Sequence, residues 1–220
     1  GGSGRRAGIK KRGGAPLGGE QRAMSAARWR GQAGSRLIAT RRAPVDGSAR
    51  TGQATAVSTS DHLLELLRAS GRPFEVIEHQ PARSAAEAAA ARGTSLAVGG
   101  KSVVMRIDKL GFCVLVVGSD RRIEGRELRR ALGVQRYRFA SPEELEELAG
   151  LSPGEVPAFG RPLFDANLIV GEDIAARGEI VFAAGSTRKS VRMATSDWLD
   201  VAAPRVVHSF TLAVVNERAE

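Results

Sequence analysis

Apolar residues at Leu63, Leu64, Leu66 and Leu67 recur at helical spacing, and Asp61 stands before them as a candidate N-cap. Gly71 supplies a stop and Pro73 forbids continuation. Residues 74–78 (Phe-Glu-Val-Ile-Glu) alternate apolar and polar, the period of a strand. Ser84 then caps an Ala-rich helix over 85–92, with Glu87 at the capping-box position and Gly93 closing it. From there the pattern becomes β-branched and continuous. Residues 101–107 and 112–118 flank Asp108-Lys109-Leu110-Gly111, which predicts a hairpin with a short Gly-containing turn.

Downstream, Ile123 to Leu132 reads as a helix ended by Gly133, and Tyr137–Phe139 as a short strand. Ser141-Pro142-Glu143-Glu144 is a helix start: a capping hydroxyl, a proline in the first turn, and acids against the dipole. That helix ends at Gly150. Residues 151–162 carry Pro153, Pro157 and Pro162 with Gly154 and Gly160, and form a shaped loop. Short strands are predicted near 163–170, 179–183 and 190–194, then a helix capped by Thr195 or Ser196 and running to about Val201. Helices and strands intermix irregularly, so the fold class is α/β, or mixed α+β, with a mixed sheet. Neither GxGxxG, GxxxxGK[ST] nor GxSxG occurs, so dinucleotide, Walker and hydrolase-elbow sites find no support.

Charge divides the chain in two. The net charge is +9. Residues 1–60 hold twelve Lys and Arg against Glu20 and Asp46, so this segment alone carries +10 and the remainder is close to neutral. Twelve of the 26 glycines also fall in 1–60, and apolar residues there show no period. Such a segment cannot bury enough surface to offset its chain entropy and is expected to be a disordered basic tail, with the folded domain over 61–220. Being Arg-rich and acid-poor, it fits an organellar import signal or a nonspecific RNA-binding arm; the alternatives are an artefactual segment, with the start expected at Met24 or near Val57, and a segment without a specific role. Without an import role, the location expected is the cytoplasm. No apolar run approaches the roughly 20 residues of a membrane span. A single cysteine, Cys113, and three scattered histidines exclude a disulfide framework and a recognisable metal motif, and no cofactor is implied.

Three local patterns in the second part stand in a specific order: Gly100-Lys101-Ser102-Val103-Val104; Gly154-Glu155-Val156-Pro157-Ala158-Phe159-Gly160; and Glu179-Ile180-Val181-Phe182-Ala183-Ala184-Gly185-Ser186, followed by Val191-Arg192-Met193 and Asp197-Trp198-Leu199. Together they resemble the YbaK/EbsC family of aminoacyl-tRNA deacylases, relatives of the editing domain of bacterial prolyl-tRNA synthetase. The resemblance covers about 70–207. It implies a mixed sheet closing partly into a barrel with helices around it. It also implies hydrolysis, in trans, of the ester between a small mischarged amino acid (Ala, Ser, Cys, Thr or Pro) and the terminal adenosine of tRNA. The partner implied is the tRNA acceptor end, with a synthetase as a second candidate.

Ester hydrolysis needs a positioned water and donors for a developing oxyanion. On the resemblance, Lys101, Gly154 and Pro157 are the catalytic candidates. Lys101 would hold the terminal phosphate or adenosine, and the Gly154–Gly160 loop would present backbone N–H groups, Pro157 having none to give. Ser102, Val156, Phe159, Gly160, Ala183, Gly185 and Ser186 are the substrate-binding candidates. No His, Cys or Ser/His/Asp set accompanies these motifs, so water attack assisted by the vicinal ribose hydroxyl is the mechanism expected.

Plainer readings stand beside each of these. On residue type alone Lys101 is a solvated lysine at a strand start, the 154–160 loop a surface turn, Gly185 and Ser186 a hairpin closure, and Phe159 core packing. Cys113 reads as a small buried residue, His79 as a structural or surface histidine, and Arg121 and Arg122 as a solvated turn. Ala158 and Ala183 depart from the family pattern; relatives often carry Pro at the first and Asn or Ser at the second. Loss of a polar group at 183 points to altered selectivity, or to the alternative of an inert tRNA- or protein-binding module with the same fold. A general nucleic-acid-binding role carried by the tail is the third reading. The near-neutral second part, without aromatic–basic interleaving, argues against it.

Overall fold

The computed structural model describes residues 58–82 and 84–214. The expectations for the basic segment up to Val57 lie outside these residues. Helix α1 (Thr59–Ser70) starts earlier than expected: Ser58 is the cap, accepting from the Asp61 N–H, so Thr59 and Ser60 belong to the fold and not to the tail. Asp61 serves the first turn instead, accepting the Ser58 hydroxyl at 2.7 Å. Gly71, in the left-handed conformation, ends α1. Strand β1 (Phe74–Glu78) follows, then α2 (Ala85–Arg92), capped by Ser84 and closed by Gly93. A 3-10 turn (Leu96–Val98) leads into the hairpin of β2 (Gly100–Ile107) and β3 (Gly111–Gly118).

The expected helix from Ile123 is shorter than its apolar pattern suggested. Arg121–Ile123 is strand β4, because it pairs with β10 (Thr211–Ala213) near the C-terminus, and α3 occupies only Gly125–Leu132. Strand β5 (Tyr137–Phe139) and α4 (Pro142–Ala149) form as predicted, the latter with a full capping box between Ser141 and Glu144. Strand β6 is Asn167–Gly171, later than expected, since 163–166 is taken up by turns. A four-residue helix α5 (Glu172–Ala175), β7 (Glu179–Ala183) and β8 (Lys189–Ala194) come next. Helix α6 (Thr195–Ala202) begins without a side-chain cap: Ala194 holds that position and Thr195 is buried inside the first turn. The chain then enters β9 (Arg205–Val207).

The strands form three sheets. The largest runs β5-β2-β3-β6-β9, the second β1-β8-β7, and the third is the β10-β4 pair. In the largest sheet β3 lies antiparallel to β2 and parallel to β6, so the sheet is mixed, as expected. Its centre is buried on both faces, which explains the continuous apolar run of β3. Val114 and Val116 join the larger core with α1, α6 and the second sheet, while Cys113, Leu115 and Val117 face α3. The two larger sheets touch through an isolated parallel bridge, Gly99 to Val181. Glycine at position 100 suits that approach: a Cβ there would stand 2.8 Å from the Ile180 Cδ1, and the Ile180 side chain would have to shift. Among the described residues no helix is long and apolar enough to cross a membrane.

Candidate active site

The Gly99–Val181 bridge brings the first residues of β2 beside the end of β7 and the N-terminal side of α2. An open cleft of about 210 Å³ lies there. Gly100, Lys101 and Ser102 line one wall, Gly154 and Val156 another, and Ala183 a third. Ala82, Ser84, Ala85 and Ala88 from α2 and its approach close the fourth side, with Arg92 at the helix end and Ser119 at the end of the hairpin. Small residues on α2 leave the space. The volume is below the roughly 300–1,000 Å³ typical of drug-sized sites, which suits a small group.

Half of the expected site thus converges. Lys101, Ser102, Gly154, Val156 and Ala183 share the cleft. Pro157, Phe159, Gly160, Gly185 and Ser186 do not line it. Phe159 is fully buried, its ring centroid 5.8 Å from that of Phe182, and belongs to the core. The Trp198 indole N–H donates to the Ala158 carbonyl at 2.8 Å, and the Gly160 carbonyl accepts from Leu163. The loop therefore splits: Gly154 and Val156 line the cleft and the buried 157–160 anchors it. Gly185 and Ser186 close the β7–β8 hairpin, where the Ser186 hydroxyl accepts from the Arg188 N–H.

The electrostatics are one-sided. Among the described residues the cleft has two cations, Lys101 and Arg92, and no carboxylate in its lining. The Lys101 Nζ donates to the Arg121 carbonyl at 2.6 Å. Burial pulls its ammonium below the ordinary lysine range, while the nearby charge of Asp120 works the other way. Asp120 is partly buried, but the Arg177 guanidinium, 2.9 Å away, holds its carboxyl below the usual range. Burial likewise lowers Arg92, which remains charged because no ordinary burial neutralises a guanidinium. Gly154 sits at φ +94°, a conformation that side chains rarely adopt, and lines the cleft. The Glu155 N–H is already used by the Ser152 carbonyl. The Ser102 hydroxyl is buried without a partner among the described residues. Cys113 is buried in β3, and burial pushes its thiol up to about 11, which agrees with an inert core cysteine.

Sequence reasoning missed Arg92, Ser84 and Ser119. A basic residue at a helix C-terminus has an ordinary explanation in the helix dipole, so Arg92 gave no signal of its own.

Comparison with known proteins bears on the family and the fold. A family model for the aminoacyl-tRNA editing domain matches residues 79–201, more than half of the chain. The multifunctional Ser/Thr-tRNA deacylase ProXp-y of Escherichia coli K12 is 30% identical over 164 residues, covering 72% of this chain and 96% of the relative. A crystal structure described as a candidate trans-editing enzyme for prolyl tRNA synthetase superposes with a TM-score of 0.58 at 27% identity, over 69% of this chain and 97% of that one. A hypothetical protein of 22% identity superposes with a TM-score of 0.61, over 68% of this chain and 99% of that one, and shares the fold.

Proposed function

We propose, from the premise that this chain belongs to the aminoacyl-tRNA editing-domain family, that it hydrolyses the ester of mischarged tRNA in trans. The observation that carries this reading is the shared cleft: Lys101 and Gly154, 53 positions apart in the chain, line one small cavity. Serine and threonine are the first aminoacyl groups to test, because the bacterial relative is a Ser/Thr-tRNA deacylase. Alanine, cysteine and proline follow on size. The partner is the acceptor end of tRNA, delivered free or from a synthetase.

In this reading water adds to the ester carbonyl carbon, the bond from that carbon to the ribose oxygen breaks, and the water's proton ends on the ribose oxygen. The products are the free amino acid and tRNA with its hydroxyl restored. The vicinal ribose hydroxyl orients the water, since no side chain of the cleft is a ready base. The backbone N–H groups of Gly154 and Val156 stabilise the oxyanion, and Lys101 adds positive charge. Pro157, Phe159 and Gly160 serve by fixing the loop in the core. Ala183 sets the depth of the pocket. The Gly99–Val181 bridge supports reading the two larger sheets as one partly closed barrel, with the cleft at the seam.

The test is a panel of seryl-, threonyl-, alanyl-, cysteinyl- and prolyl-tRNAs incubated with the protein. One or a few should lose their ester well above the spontaneous rate. Rates equal to the blank for all of them would end the enzyme reading and favour an inert binding module, the alternative that the apolar Ala183 supports.

A further inference from the structure

Arg92 closes α2, yet its guanidinium is turned toward the second sheet. Its Nη1 donates to the Ser190 hydroxyl at 3.1 Å, and its Nε lies 3.4 Å from the Thr94 hydroxyl. Ser190 is 1% exposed and is the register partner of Ala183, so its hydroxyl stands next to the Ala183 position of the cleft wall. On its other side that hydroxyl is 2.9 Å from the Nε2 of His79, whose Nδ1 is 2.8 Å from the Gln80 carbonyl. A carbonyl only accepts, so Nδ1 donates to Gln80; in the neutral imidazole Nε2 then accepts from Ser190, and the Ser190 oxygen accepts from Arg92. The three side chains form a directed chain that ends in the guanidinium. Ser190 is too buried to attack a substrate, so this serine–histidine pair holds another group in place.

The group held is unusual. Arg92 is half-buried, faces the cleft, and makes no ion pair among the described residues. Its Nη2 makes no hydrogen bond among them either. A desolvated cation fixed from behind and unpaired in front is arranged to meet an anion, and the planar guanidinium fork matches phosphate oxygens. Ser84 and Ser119 offer hydroxyls in the same lining.

We propose that Arg92 is a phosphate-binding residue of the cleft, which takes a phosphate of the acceptor end through its Nη2 edge, with Ser190 and His79 as positioning residues behind it. This rests on reading the cleft as an acceptor-end site. Lys101 is then free to act at the ester.

The experiment is calorimetric binding of adenosine 5′-monophosphate and of adenosine to the full chain, without catalysis. The wild type should bind the phosphate-bearing ligand about 10- to 100-fold more tightly, the gain expected from one charge-assisted pair. Arg92→Met should bring the two affinities to within about threefold, and Arg92→Lys, which keeps the charge but not the fork, should fall between. Ser190→Ala should lose part of the preference with Arg92 still present, an effect that a purely structural role would not confine to the phosphate-bearing ligand. A wild type without preference for the phosphate, or with no binding of either ligand, would overturn the proposal; so would an Arg92→Met protein that keeps the preference. Because the readout is binding, a protein that shows the Arg92-dependent preference but hydrolyses no aminoacyl-tRNA would refute the deacylase reading and leave the phosphate site standing.

Discussion

The ammonium of Lys101 donates to the backbone carbonyl of Arg121 at 2.6 Å, which ties the start of β2 to β4. One of three N–H donors is thereby spent on fixing the side chain, and two remain. Lys101→Met should keep the fold, at a cost of about 1 kcal/mol for the lost hydrogen bond. Deacylation should fall by roughly 10²–10³-fold, as for other single electrostatic donors. Rates measured on any aminoacyl-tRNA the wild type hydrolyses check this, and an unchanged rate would remove Lys101 from the chemistry.

Gly154 adopts φ +94° at the cleft edge. Gly154→Val must relax out of that conformation or carry strain of about 1–3 kcal/mol. The loop beyond it is anchored by Phe159 and Trp198, so the variant should fold, melt a few degrees lower, and lose at least tenfold in turnover. Full turnover in a folded Gly154→Val protein would show that this backbone is not part of the site.

Phe159 fills the core against Phe182 and does not line the cleft. Phe159→Ala should therefore cost about 3–5 kcal/mol in unfolding free energy. The preference among aminoacyl groups should stay as it was, measured below the melting point. A shift in selectivity without loss of stability would return Phe159 to the pocket wall.

Glu144 receives both arms of the Arg138 guanidinium, at 2.6 and 2.7 Å, and also closes the capping box of α4. The Arg138 pair and the Ser141 N–H hold its carboxyl at about 2, below the ordinary 4.5. Since the folded value is the lower one, the stabilisation is complete above about pH 4.5 and drains away as pH falls toward 2. Denaturant midpoints taken across that window should fall less steeply for Glu144→Gln, which keeps a capping group, than for the wild type. Parallel slopes would show that this pair does not contribute.

Much of the local structure was legible because short-range chemistry decides it. Ser84, Ser141, Gly71, Gly93, Gly133 and Gly150 cap helices where their residue types predict. The 74–78 and 179–183 strands fall on the expected residues. The errors lie where a distant partner intervenes. Arg121–Ile123 leaves the helical pattern because β10 supplies hydrogen bonds from some ninety residues away. Thr195 is not a cap, because packing draws it inside.

The site divides in the same way. A pattern resembling a known family, and not residue type alone, marked Lys101, Ser102, Gly154, Val156 and Ala183 as candidates. Residue types could not separate Gly154 and Val156, which line the cleft, from the buried 157–160, because that division depends on what Phe159 and Trp198 pack against. Nor could they reveal Arg92, whose role exists only through Ser190 and His79, brought to it by the pairing of three strands. Caps, turns and periods are set by neighbours within a few residues, and those the chain carries in plain order. Which cation faces a cleft, and what stands behind it, is settled by long-range strand pairing and by burial, and only the folded protein decides that.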